Sequence, residues 1–100
     1  MAGKLRYSGE ALGHLDRLTA FLVSQADEKT AHRVIDELLD AFEILSDMPY
    51  IGRVHPDPVL AGRGYRILVA GRYVGVYLVI DGEAWMAAVY HTKTDWLTME

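Results

Sequence analysis

Three apolar segments follow one another in the second half of the chain, and two-residue turns separate them. They span residues 65–70, 73–80 and 83–91, with Gly71-Arg72 and Asp81-Gly82 between them. Asp-Gly between two β-rich segments is a strong hairpin signal, because a type I′ turn needs positive φ at both central residues. Gly at the first position of the other turn suits type II′. The middle segment is apolar on both faces, as central strands are. The pattern therefore predicts an antiparallel β-meander.

A short strand and a helix are predicted before residue 26. Residues 4–7 alternate between polar and apolar types, which is typical of a strand, and Ser8 is a residue type that caps helix N-termini. The apolar residues that follow lie on one stripe at helical spacing: Leu12, Leu15, Leu18, Leu22 and Val23. We expect an outer strand followed by an amphipathic helix.

The second helix has the clearest period in the chain. Asp27 caps it, and Met48-Pro49 ends it, because the residue before Pro is pushed out of the α region. Its apolar stripe consists of Ala31, Val34, Ile35, Leu38, Leu39, Phe42 and Leu45. The short connection predicts an antiparallel helix hairpin, and the meander supplies the surface that it covers. We therefore expect an α+β fold, with a two-helix hairpin packed on a twisted antiparallel sheet.

The connector between helix and sheet, residues 49–64, is long for a compact domain. It contains three Pro and three Gly in sixteen residues. Such a segment indicates a functional loop or one ordered by a partner, and an ordinary crossover explains it equally well.

Composition bounds the remaining possibilities. One hundred residues with 51% hydrophobic content and 24% charge form one domain, residues 1–100. The chain has no apolar run of about 18 residues and no leader-like start, so we expect neither a membrane partner nor secretion. Cys is absent and the four His are scattered, which predicts no metal site and no cofactor. These features are compatible with the cytoplasm.

Charge is distributed unevenly along the chain. Residues 1–50 contain nine acids and five bases, residues 51–100 contain five of each, and the net charge is −4. Proteins that bind nucleic acid through phosphates normally carry a basic excess. This balance argues against a nucleic-acid partner.

The order of elements and several short motifs resemble the RelE/ParE toxin family of bacterial type II toxin–antitoxin modules. The matching segments are Pro49 to Arg53 with its Pro-x-x-Gly-Arg pattern, Gly64 to Leu68, Tyr73 to Tyr77 and Val89 to Trp96. Each motif is weak alone, but the combination covers nearly the whole chain. The resemblance implies a toxin that is neutralised by a cognate antitoxin in a hetero-oligomer.

The family has two activities, and they require different residues. RelE-like members cleave mRNA on the ribosome, and that chemistry needs a base, an acid and cations near the phosphate. ParE-like members inhibit DNA gyrase without known hydrolysis. Nucleases of the family typically carry Arg where this chain has Val74, and a basic residue where it has Thr94 after Lys93. These departures favour a ParE-like gyrase inhibitor that is not an enzyme. The alternatives are a ribosome-dependent ribonuclease and an inactive binding module of the same fold.

The resemblance also selects candidate site residues. For a nuclease they are Arg66, Arg72, His91 and Lys93. Arg66 has a structural alternative, an ion pair with a helix acid, and His91 has one as a capping or surface residue. Tyr73 and Tyr77 alternate onto one face and favour core packing.

Partner contacts form a second set of predictions. Arg53, Arg63 and Arg72 are candidates to meet acids of the antitoxin, which would lay an amphipathic helix, with an added strand, against the sheet. Lys93 and Trp96 are candidates for the gyrase contact. Trp85 is expected to be buried.

Overall fold

The computed structural model describes residues 4–94 as five strands and four helices. In chain order they are β1 (Leu5–Tyr7), α1 (Gly9–Gln25), α2 (Glu28–Phe42), α3 (Ile44–Asp47), β2 (Arg53–Val54), α4 (Pro58–Gly62), β3 (Arg66–Ala70), β4 (Tyr73–Ile80) and β5 (Glu83–His91). Within these residues, every helix is too short or too polar to span a bilayer.

The strands form one sheet in the order β1-β5-β4-β3-β2, so β4 lies at the centre as predicted. β2 to β5 pair antiparallel, while β1 joins β5 in parallel and makes the sheet mixed. The α+β fold class and the β-meander are confirmed. The direction of β1 was not predictable, because the alternation of a three-residue strand reads the same in both directions.

The turns of the meander have the backbone that their sequences predict. Asp81 and Gly82 have φ of 52° and 79°, the double positive φ of a type I′ turn. In the β3–β4 turn, Gly71 has φ of 60°, and Arg72 keeps an ordinary negative φ, in line with a II′ turn.

The helices pack against each other and against one face of the sheet. Both predicted caps form: Ser8 Oγ accepts a hydrogen bond from the Ala11 backbone N–H at 3.0 Å, and Asp27 Oδ1 accepts one from Thr30 at 2.6 Å. The buried residues of this main core come from both helices, α3 and the two central strands: Ala11, Leu15, Leu38, Phe42, Leu45, Tyr77, Ala84, Met86 and Val89.

A β-bulge in β5 shifts the alternation of its side chains, so that Met86 and Val89 both belong to the main core. Val76 pairs with Ala88, but Tyr77 pairs with Met86, so Ala87 is the extra residue. The N-cap residue of α1 binds this bulge, because Ser8 Oγ donates a hydrogen bond to the Ala87 carbonyl at 3.1 Å. One side chain therefore caps α1 and fixes its position on the sheet.

Two sequence predictions need correction. Trp85 is only partly buried, because it pairs with Leu78 on the face away from the main core, where the Arg6 guanidinium lies 5.5 Å from its ring centroid. The connector, residues 49–64, is not irregular throughout, since it contains β2 and α4.

Candidate functional site

One end of the sheet brings together three of the four residues predicted for a nuclease. Arg72 lies in the β3–β4 turn, and its carbonyl accepts a hydrogen bond from the Thr92 N–H at 2.8 Å. Tyr73 pairs across the strands with His91, and their rings meet edge to face at 5.4 Å. Lys93 follows at the surface. Arg72, His91 and Lys93 therefore lie at what we call the turn end.

His91 makes a local backbone contact at this end. Its Nδ1 accepts a hydrogen bond from the Lys93 backbone N–H at 3.1 Å. A neutral His91 with this bond carries its proton on Nε2. The contact is of the capping type, one of the two roles that the sequence left open.

Arg66 lies away from the turn end, at the opposite end of β3. Ala70 lies four positions further along the strand, which corresponds to about 13 Å. Its Nη1 donates to the carbonyls of Gly52 at 2.8 Å and Tyr50 at 3.3 Å, and its guanidinium lies 5.2 Å from the Tyr50 ring centroid. The structural alternative for Arg66, an ion pair with a helix acid, is not formed among the described residues, because the connector folds back over the start of β3 and offers its carbonyls.

The buried side chain of Tyr77 also binds the connector. The buried Gly52 N–H donates to the Tyr77 hydroxyl at 3.0 Å. A Cβ at residue 52 would lie 2.5 Å from this hydroxyl and 2.5 Å from the Ile67 carbonyl oxygen. Gly is thus required here by close packing, which explains the Gly of the Pro-x-x-Gly-Arg motif. Burial raises the pKa of Tyr77.

Four of the five predicted partner residues fall into two groups. Arg53 and Arg63 are exposed on the connector, whereas Arg72 and Lys93 are exposed at the turn end. Trp96 lies outside the described residues.

Two grooves open beside Tyr73, one under each long helix. The first, of about 260 Å³, lies between α2 and the β3–β4 turn and is lined by Val34, Glu37, Leu38, Ala41 and residues 70–73. The second, of about 240 Å³, lies between α1 and the ends of β4 and β5, lined by Leu18, Phe21, Tyr73, Val89, Tyr90 and His91. Both have mainly apolar walls.

Two histidines have structural contacts that the sequence did not indicate. His14 Nδ1 accepts a hydrogen bond from the Val89 N–H at 3.1 Å, beside the bulge. His55 is buried, and its Nδ1 accepts one from the Asp57 N–H at 3.0 Å. Burial lowers the pKa of both. A lone His in sequence carries no signal for such a role. No group of three metal-binding side chains exists within residues 4–94.

Val74, which occupies the position where family nucleases carry Arg, is fully buried. It packs with Ile67, Val76 and Ala88 in a second core cluster, and Tyr65 and Tyr90 lie against this cluster. The Val74 side chain is aliphatic and closed off from solvent, so it cannot bind a phosphate group.

Comparisons with protein-family models and with solved structures both give matches. The model described as the ParE toxin of the type II toxin–antitoxin system parDE matches residues 5–96. Among the solved structures, eleven chains match, and one of these belongs to a chromosomal ParDE toxin–antitoxin system from P. aeruginosa. It is 16% identical, covers 90% of this chain and 96% of its own, and has a TM-score of 0.76. At this identity the likeness shows the fold alone. No curated protein matches the chain.

Proposed function

Since this chain belongs to the ParE toxin family of type II toxin–antitoxin systems, we propose that it inhibits DNA gyrase and that its cognate antitoxin neutralises it. In this proposal the toxin acts through protein–protein contact in the bacterial cytoplasm, without cofactor and without hydrolysis. The gyrase contact includes the polar segment after β5, with Lys93 and Trp96.

The environment of Val74 is the observation that carries the choice of gyrase over mRNA. Phosphoryl transfer needs cations on the phosphate oxygens, and this position supplies a fully buried aliphatic side chain. The Arg66 guanidinium already donates hydrogen bonds to two backbone carbonyls, and Arg66 lies about 13 Å along β3 from the turn end. The residues that a nuclease would need are therefore divided between two places.

A paired assay tests this choice. Purified toxin is added to a gyrase supercoiling reaction and, separately, to a translation reaction whose mRNA is mapped by primer extension. We expect loss of supercoiling and intact mRNA. Cuts in the mRNA at defined codon positions, with normal supercoiling, would contradict the proposal.

Ribosome-dependent mRNA cleavage stays the second candidate, because Arg72, His91 and Lys93 do meet at the turn end. It predicts that His91→Ala abolishes growth arrest while the variant still folds. The gyrase proposal predicts that His91→Ala keeps most of the activity. Loss of activity in both assays with an intact fold would favour the inactive binding module.

The groove under α2 is the proposed antitoxin site. Its walls are mainly apolar, Arg72 lies at its rim, and an amphipathic helix with acids at its border fits such a surface. In addition, no described strand pairs with Leu68–Ala70 on the side away from β4, because β2 reaches only Arg66 and Ile67. That free edge can accept a strand of the antitoxin.

Filling the groove tests the antitoxin site. Ala41 is exposed on the groove wall, so Ala41→Trp should block an incoming helix without disturbing the core. We expect the antitoxin to lose its ability to restore growth, while growth arrest by the toxin persists. Ala20→Trp, at an exposed position of α1 that does not line either groove, is the matched control and should be neutralised normally.

A further inference from the structure

Four large apolar side chains are exposed within residues 48–54, where α3 leads into the connector. Tyr50 is 62% exposed, Val54 56%, Met48 46% and Ile51 45%. Single exposed apolar residues are normal on soluble proteins, whereas a contiguous group marks an interaction surface. We call these four residues the connector patch.

The backbone that carries the connector patch is fixed from several directions. The Ile51 N–H donates to the Met48 carbonyl at 3.1 Å and closes a turn. The Gly52 N–H is bound by Tyr77, and Arg66 binds two carbonyls of the segment. A well-anchored loop therefore carries these side chains, so their exposure does not result from a loose connector.

Two residues of the patch, Tyr50 and Val54, both lie next to Arg66. Val54 pairs with Arg66 across β2 and β3, so both side chains leave the same face of the sheet. The Arg66 guanidinium in turn lies over the Tyr50 ring. Tyr50, Arg66 and Val54 thus form a continuous strip at the edge of the sheet. An aromatic ring stacked on a guanidinium is a rigid anchor of the kind that dominates binding energy in protein interfaces.

Charge around the strip specifies the kind of partner. Residues 48–66 contain three bases, Arg53, Arg63 and Arg66, and one acid, Asp57, in a chain whose net charge is −4. The excess is positive, so the partner surface is acidic. The centre of the strip is aromatic and aliphatic, which matches a protein surface better than a phosphate backbone.

We propose that the connector patch is a contact surface for an acidic protein surface of the toxin's target, and that the target contacts both the patch and the turn end. The inference rests on the proposed function, because it takes gyrase as that target. The spacing of four strands and the length of β3 place the patch roughly 20 Å from the turn end. An interface of about 800 Å² per partner is roughly 30 Å across, enough to cover both.

Truncation of the anchors tests the proposal. Tyr50→Ala keeps the carbonyl that Arg66 binds, and Val54→Ser removes an apolar side chain from the sheet edge. Ile80→Ser is the matched control, because Ile80 is 47% exposed on β4 beside the β4–β5 turn, and β3 separates β4 from β2. Each variant is released from its complex with antitoxin and measured for supercoiling inhibition, antitoxin binding, thermal unfolding and growth arrest on induction.

We expect Tyr50→Ala and Val54→Ser each to raise the toxin concentration for half inhibition roughly tenfold or more, as truncated hot-spot residues do. Antitoxin affinity and unfolding temperature should not change, and Ile80→Ser should behave as the wild type. Arg53→Glu should inhibit gyrase much more weakly than the wild type, whereas Lys29→Glu, at an exposed position of α2, should inhibit normally. This pair of results would support an acidic partner surface.

The results also separate this inference from the function on which it rests. If the wild type inhibits gyrase and the patch variants inhibit equally well, the patch is not a target contact, although the proposed function holds. Loss of antitoxin binding in the patch variants would assign the surface to the antitoxin and overturn the inference. If the wild type arrests growth without inhibiting gyrase, the gyrase proposal fails, and growth arrest in the patch variants still decides whether the patch contacts the true target.

Discussion

Gly52→Ala is the substitution for which the structure gives the sharpest expectation. A Cβ at this position would lie 2.5 Å from the Ile67 carbonyl oxygen, 2.5 Å from the Tyr77 hydroxyl oxygen and 2.7 Å from Tyr77 Cε1. Neither neighbour can move easily, since the first is strand backbone and the second belongs to a side chain with no exposed surface. The connector must shift outward to relieve the contact.

The magnitude follows from two effects. Overpacking in a well-packed interior costs about 1–3 kcal/mol. An outward shift of the connector also breaks the hydrogen bond from the Gly52 N–H to Tyr77, and leaving buried polar groups unpaired costs about 1–3 kcal/mol. We therefore expect Gly52→Ala to lower the free energy of unfolding by about 3 kcal/mol, and the unfolding temperature by roughly 15 °C for a domain of this size.

Thermal and urea unfolding followed by circular dichroism measure this loss. Gly62→Ala is the control, because nothing lies within 4 Å of its Cβ position, and we expect a change of less than about 1 kcal/mol. In a Tyr77→Phe background the Gly52→Ala penalty should shrink but persist, because the Ile67 carbonyl stays in place. A Gly52→Ala variant within about 0.5 kcal/mol of the wild type would refute the argument that close packing selects Gly in this motif.

Two further predictions concern pH and capping. Burial lowers the pKa of His14 and His55 below the ordinary value of 6.5, so the unfolded chain binds these protons more tightly than the folded protein does. The stability that is present above pH 6.5 is therefore lost as the pH falls through the lowered pKa values. In His14→Asn, the free energy of unfolding should fall less steeply between pH 7 and 5 than in the wild type. A fall of equal steepness in that variant would show that His14 does not contribute. Ser8→Ala removes both the α1 cap and the bond to the bulge, and should lower the free energy of unfolding by about 1–2 kcal/mol, against less than about 0.5 kcal/mol for the exposed control Ser24→Ala. Equal effects of the two Ser variants in urea unfolding would contradict the role given to Ser8.

The parts of the fold that sequence predicted are those governed by local chemistry. Asp81-Gly82 imposes its turn through its own backbone preferences, and the stripe on α2 follows from helical period, so neither depends on distant residues. The β-bulge at Ala87 contains no Gly or Pro that would indicate it in the sequence. Its backbone is bound by the side chain of Ser8, which is distant in the chain. Such contacts join residues that are 79 positions apart, and a single sequence does not encode them visibly.

The candidate site was predictable in part. The meander alone implies that Arg66 and Arg72 lie at opposite ends of β3, so their separation follows from the predicted strands. The partners of Arg66 were not predictable, because they depend on how the connector returns to the sheet. The exposure of the connector patch also depends on the path of that loop. The sequence does not show whether hydrophobic residues between Pro and Gly residues point inward or outward, so this exposure could not be predicted.

Relief of gyrase inhibition by the antitoxin tests the central claim most directly. Toxin is titrated into a supercoiling reaction until the enzyme is inhibited, and the purified cognate antitoxin is then added in increasing amounts. The proposed function predicts that supercoiling is lost with the toxin alone and returns when the antitoxin reaches about one equivalent. Supercoiling that continues in the presence of excess toxin would contradict the claim, as would inhibition that persists at saturating antitoxin.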